Sequence, residues 1–284
     1  MADPELPNAA PDAATVMARI GGENFPVAPC WLPMRAREHL LAIYGFARLT
    51  DELGDEAPGE RLVALDWLED ELDRAFAGNA EHPLMRRLGT TIAACELPRA
   101  PFVRLIDANR SDQQVQSYER WKDLLAYCAL SANPVGELVL HVFDAATPER
   151  IEQSDAVCTA LQVIEHCQDV REDLGRGRVY LPLEDLARFG CALTDLEARG
   201  VSDGLREVLR LEATRASALL DEGGPLVGSL RGWARIAVAG YVGGGRAALS
   251  ALARAHFEVL ALTPRPSPRR RIGSILRTLN GAVG

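Results

Sequence analysis

After Pro33, apolar residues recur at helical spacing, first as Ala36, Leu40, Ile43, Tyr44 and Ala47. That period turns one face of a segment toward a core and leaves the other in water. The first helix carries Arg48, Asp51 and Asp55 and ends by Pro58-Gly59. The next runs from Arg61 to Phe76, with Leu62, Leu65, Leu68, Leu72 and Phe76 on one face. Its charge run (Glu69, Asp70, Glu71, Asp73) is thereby assigned to the solvated side. Further helices are predicted over 83–94, 101–109 and 118–130. The last of these stops at Ser131-Ala132-Asn133-Pro134, because proline has no N–H to donate to the helix. A long central helix covers 148–174, and two short pieces cover 183–189 and 194–199. Long helices return over 203–221 and 233–262, the latter interrupted at Gly243-Gly244-Gly245. No alternating strand pattern with hairpin signals occurs. The pattern predicts an all-α, single-domain fold of roughly ten helices around a central apolar cavity.

The polar positions of the central helix are the unusual ones. Residues four apart on an α-helix are offset by only about 40°. Glu165, Asp169 and Asp173 therefore stack as a ladder, joined on its upper edge by Gln162, while Leu161, Ile164, Val170 and Leu174 give the helix a buried side. Stacked carboxylates repel one another unless a cation neutralises them. Hard oxygen ligands at this spacing suit Mg²⁺, which keeps several waters and bridges carboxylates to phosphates. Asp51 and Asp55 form a second, shorter ladder with Arg48 one turn earlier. Either ladder alone reads as a solvated helix face. The two together, with Arg48 beside one and the Gly175-Arg176-Gly177-Arg178 turn behind the other, favour a pair of facing Mg²⁺ sites holding a diphosphate. His166 is rotated about 100° from Glu165 on a continuous helix, so it is expected to point away from the metals.

Composition narrows the classes. The chain has 284 residues, 48% of them hydrophobic and 25% charged, which is ordinary for a chain able to bury a sizeable core. A net charge of −9 argues against nucleic-acid binding. The most apolar stretch, Trp233 to Leu252, contains Arg235 and Arg246, and no basic-then-apolar leader opens the chain, so neither a membrane span nor a signal peptide is expected. The six cysteines contain no Cys-x-x-Cys pair and read as reduced core residues in a cytoplasmic protein. No histidine has a glutamate three residues before it, which weighs against a ferritin-like metal-binding bundle without this chemistry. No dinucleotide, Walker-type or Gly-x-Ser-x-Gly signature is present.

The two ladders resemble the paired aspartate-rich motifs of the squalene/phytoene synthase family, and the string Gly177-Arg178-Val179-Tyr180-Leu181-Pro182 is similar across that family. Glu23-Asn24-Phe25-Pro26-Val27-Ala28 and Ser131-Ala132-Asn133-Pro134-Val135-Gly136 resemble its hydroxysqualene synthase branch. Matching segments run from about Glu23 to Arg265-Pro266. The resemblance implies an isoprenoid synthase fold and a Mg²⁺-dependent enzyme that converts presqualene diphosphate and water to hydroxysqualene without NADPH. The alternative within the family is head-to-head condensation of two prenyl diphosphates, and a catalytically dead scaffold is disfavoured by two intact ladders. Asp51, Asp55, Asp169 and Asp173, with Glu165, are then the metal ligands. Arg48 and Arg178 take the leaving diphosphate, Tyr127 lies near it, and Gln162, Tyr180, Asn24, Asn133 and Tyr241 are substrate contacts. Two positions depart from the family pattern: Glu52, expected to point away from the metals, and Glu165, where many members carry Asn. Upstream and downstream enzymes of the same pathway would be its partners.

The ends differ from the middle. Residues 1–13 are rich in Ala, Pro and Asp and are expected to be disordered, leaving 14–263 as the domain and 264–284 as a basic tail. From Val259 onward there is no acidic residue, while Arg265, Arg269, Arg270, Arg271 and Arg277 are present. Pro264, Pro266 and Pro268 predict an extended start, followed by a short apolar stripe of Ile272, Ile275, Leu276 and Leu279. Such a tail is either solvated, or folded over the acidic mouth of the site, or docked on anionic lipid at the inner face of the plasma membrane.

Overall fold

A computed structural model describes residues 11–18, 27–56 and 59–281, so Asn24 and most of the Glu23–Ala28 motif lie outside the described residues. Every regular element among them is helical, and the only strand-like pairing there is a bridge between Ser117 and Val179. The chain divides into two compact units, 1–114 with 134–146, and 115–133 with 147–284.

The first unit holds α1 (Ala13–Ala18), α2 (Met34–Asp51), α3 (Arg61–Phe76), α4 (Pro83–Cys95), α5 (Ala100–Asp112) and all of α7 (Asn133–Val142) except its first residue. Phe46 and Phe102 meet edge to face at 5.0 Å, among Leu49, Leu65, Leu68, Leu72, Leu88, Ile106 and Leu138. The stripe predicted for α3 holds except at Leu62, which is exposed. Its charge run is not a simple solvated face. Glu71 is buried, bonded to Arg74 and accepting from the backbone N–H groups of Glu81 and His82, while Glu69 and Asp73 pair with Arg99. A carboxylate can be buried there because three donors replace its water.

The second unit holds α6 (Trp121–Ser131), α8 (Pro148–Gln168), α9 (Val170–Gly175), α10 (Leu183–Arg188), α11 (Asp203–Glu222), α12 (Pro225–Ser229), α13 (Gly232–Arg254) and α14 (Pro268–Gly281). The chain leaves helix at Ala132, and Pro134 sits in the first turn of α7, where its missing N–H costs nothing. The glycine triplet does not interrupt α13 as expected. A Cβ at Gly243 would lie 2.7 Å from the Ile275 Cα, and one at Gly245 would lie 2.8 Å from Leu161 Cδ2. These glycines let α13 touch α14 on one side and α8 on another. α13 is long and apolar enough to span a bilayer, but most of it is buried inside the unit, as a core helix is. Residues 268–281 are likewise not a free tail but a helix packed along α13, with the Arg235 guanidinium donating to the Leu279 carbonyl. Asp185 and Glu212, both buried, grip Arg215, whose guanidinium lies 4.7 Å from the Trp121 ring. Burial outweighs Arg215 and pushes the Glu212 carboxyl up to about 8.

Candidate active site

In the first unit α2 runs into one π-helical turn, Glu52–Glu56, so Asp51 ends the α-helix and Asp55 stands on the wider turn. Such turns occur frequently at functional sites. The neighbours explain its position. The Gln113 side chain donates to the Gly54 carbonyl at 2.9 Å, and a Cβ on Gly54 would lie 2.2 Å from Asn109 Oδ1. Gly54 is therefore needed for close packing against α5. Asn109 also reaches Asp51 Oδ1 at 3.4 Å. Arg48 is 3.1 Å from Glu52 Oε1 and 3.8 Å from Asp51 Oδ2. Glu52 is buried in that pair, whereas Asp51 keeps about half of its side-chain surface (49%) open to solvent.

In the second unit the central helix breaks at the middle carboxylate. Asp169 leaves helical geometry (φ −108°, ψ 19°), which separates α8 from α9. Its N–H still bonds the Glu165 carbonyl and its carbonyl accepts from the Asp173 N–H, both at 2.9 Å. Three like charges one turn apart oppose a straight helix there. The Gln168 side chain, donating to the Pro264 carbonyl, and Arg171, donating to Leu260 and Ala198, hold the two pieces.

The break overturns the expectation for His166. It is buried, stacked on Tyr180 at 3.7 Å, with Nδ1 3.6 Å from Asp173 Oδ2. Gln162 meets the other ring nitrogen at 3.1 Å, so it orients the imidazole rather than extending the ladder directly. Tyr127 and Tyr180 are buried with hydroxyls 3.5 Å apart, and Tyr118 packs against both rings. The extended strip after Gly177 (φ +77°) is tied down by Val179 N–H to Gln116 O at 2.7 Å and Leu183 N–H to Tyr118 O at 2.9 Å. This brings Arg178, Tyr180, Asp173, His166 and Val170 around one small recess. Asn133 is buried and accepts from the Thr159 hydroxyl at 2.9 Å, within the second unit. Tyr241 stands on α13, its phenol pushed up to about 12 by burial and by Cys158. From the sequence His166 was expected to face away, Tyr118 was not singled out, and Arg265 was not placed at the site. The first two carry no spacing signal, and Arg265 counted only as part of the tail.

The electrostatics of the second ladder fit a cation. Burial, then Glu165, Asp173 and Glu172, push the Asp169 carboxyl up to about 6, and Arg265 opposes them only in part. Among the described residues no three His, Cys, Asp or Glu side chains converge tightly enough to enclose an ion alone.

The all-helical scaffold thus carries one acidic ladder beside Arg48 in the first unit and another, with Arg178 and a buried tyrosine cluster, in the second. Residues 18–271 match the squalene/phytoene synthase family, and the chain belongs to it. Its relatives narrow the comparison. The hydroxysqualene synthase of Sinorhizobium fredii is 37% identical over 215 residues, covering 74% of this chain and 72% of that one. The phytoene synthase of Arthrospira platensis is 34% identical and covers 65% of each chain. Among solved structures, the squalene synthase HpnC from Alicyclobacillus acidocaldarius superposes with a TM-score of 0.80 at 46% identity, over 87% of this chain and 94% of that one. A dehydrosqualene synthase solved with a ligand gives 0.83 at 25% identity, over 95% and 96%.

Proposed function

We propose that this enzyme converts presqualene diphosphate and water to hydroxysqualene and diphosphate, a carbon–oxygen lyase reaction. The observation that carries this reading is the 37% identity to a protein named hydroxysqualene synthase, joined by 46% identity to HpnC. Asp51, Asp55, Asp169 and Asp173 are the proposed Mg²⁺ ligands, with Glu165 beside them. Bound Mg²⁺ would supply Lewis-acid neutralisation of the departing diphosphate. Arg178, on the rim of the recess with Asp173, is placed to receive the charge that develops as the C–O bond breaks. The Tyr127–Tyr180 pair and His166 close that side of the site against stray water, so the carbocation is not quenched early. One water then adds its oxygen to the cation and loses a proton, for which the Glu165 carboxylate is the acceptor this chain offers.

A second reading, condensation of two prenyl diphosphates, is favoured by the 34% identity to a phytoene synthase. The two separate on product. Purified protein and Mg²⁺ are incubated with farnesyl diphosphate or with presqualene diphosphate, and the organic extract is identified by mass spectrometry. Hydroxysqualene from presqualene diphosphate alone is the expected result. Products from farnesyl diphosphate that require carbon–carbon bond formation would replace this reading with the second.

A further inference from the structure

α14 is packed on α13 the wrong way round for an ordinary amphipathic helix. Its buried residues are Ser274 and Thr278, whereas Ile272 and Leu276 are exposed at 58% and 55%. At about 100° per residue the Ile272–Leu276 stripe lies roughly 160° around the helix from the Ser274–Thr278 stripe. The inward face carries small hydroxyl side chains because Gly243 brings the two backbones together, leaving no room for a larger one. Ile272 and Leu276 are turned out, while Ile275 and Leu279 are partly covered. Arg269 is exposed about 40° from the midline of that stripe, Arg270 and Arg277 are exposed together on one flank of the helix, and residues 259–284 contain no acid. With the five arginines of this stretch set aside, 26 basic side chains in the rest of the chain stand against all 40 acidic ones.

We propose that this outward face of α14 docks on an anionic lipid bilayer. Ile272 and Leu276 would enter the headgroup boundary and the arginines would pair with lipid phosphates. A second copy of the chain is a poor occupant, because a two-fold contact would set the same arginines against one another. A stripe two side chains long is also narrow for a stable protein interface, which needs about 1,000 Å² or more. The inference rests on this surface alone and stands whichever substrate the site takes.

The test is co-sedimentation of the full chain with vesicles of phosphatidylcholine alone, or mixed with phosphatidylglycerol, at low and high salt. Binding to the anionic vesicles is expected to be about tenfold tighter or more, and to weaken with salt. Ile272→Glu with Leu276→Glu should abolish it while the circular dichroism spectrum and thermal midpoint are kept, both positions being exposed. Arg269→Ala with Arg270→Ala and Arg277→Ala should remove the salt dependence. Equal binding to both vesicle types, binding to neither, or full binding by the glutamate variant overturns the proposal. So does a wild-type oligomer that the glutamate variant dissolves while vesicle binding is unchanged.

Discussion

Asp51 and Asp169 stand at the ends of their helices, each partly open to solvent. If both are metal ligands, Asp51→Asn or Asp169→Asn abolishes diphosphate release with helix content unchanged. Turnover within twofold of wild type, about 0.4 kcal/mol in barrier, would remove them from that role. Glu165 has a separable function. As proton acceptor for the attacking water, its change to Gln shifts products from alcohol toward elimination or rearranged hydrocarbons. A loss of total turnover at constant product ratio would make it a ligand only. Away from the site, Glu212 predicts a pH effect. Its folded value, about 8, lies above the ordinary 4.5, so between those values the folded chain holds a proton that the unfolded chain has released. Stability is therefore complete at low pH and falls as pH rises through that window. Glu212→Gln should flatten the fall in thermal midpoint from about pH 5 to 8, and an unaltered slope would contradict it. The ladders stand out in the sequence because carboxylates four apart are costly without a cation. His166 was misjudged because one rotation per residue assumes a continuous helix, and the helix turns at Asp169.

At the level of elements, periodicity found nearly every helix, since burial of one face is what makes each of them stable. It failed where a helix is shaped by its neighbour. The triplet at 243–245 reads as a break in isolation, because glycine costs about 1 kcal/mol in a helix interior. In place, it is the groove that receives α14 and α8. Gly243→Ala should thus destabilise by about 1–3 kcal/mol through overpacking against the Ile275 backbone. Gly240→Ala, where an added Cβ meets nothing within 4 Å, should be neutral or stabilising by up to about 1 kcal/mol. Thermal denaturation of the two variants distinguishes them, and equal effects would mean that α14 yields freely. For the same reason deletion of 268–284 is not a clean way to test lipid docking, since it strips the cover from Gly243. The tail was read as a tail because its arginines and prolines suggest solvent, while its anchoring residues, Ser274 and Thr278, carry no hydrophobic signal.

Across the whole molecule, the two units are not consecutive stretches of chain. Residues 115–133 belong to the second unit, and the chain then returns at Pro134 to finish the first. Leu138, fully buried, is part of the first unit's core with Phe46 and Phe102, and Val135 and Val142 pack against it. A fragment ending at residue 114 should therefore melt without a cooperative transition. Joining 134–146 to it by a short flexible linker should restore one, and a cooperative melt of 1–114 alone would refute the dependence. This interleaving was not legible in periodicity, which reports that a helix has a buried face but not which core buries it. It has a consequence for how the protein is born. Chains generally fold from the N-terminus as they leave the ribosome, at about 5–20 residues per second. Here the first hundred residues emerge with their core unfinished, and wait until Ala146 has cleared the tunnel before they can close. Through that interval the nascent chain shows its neighbours the apolar surface that Leu138 will cover, and an early release would leave it showing.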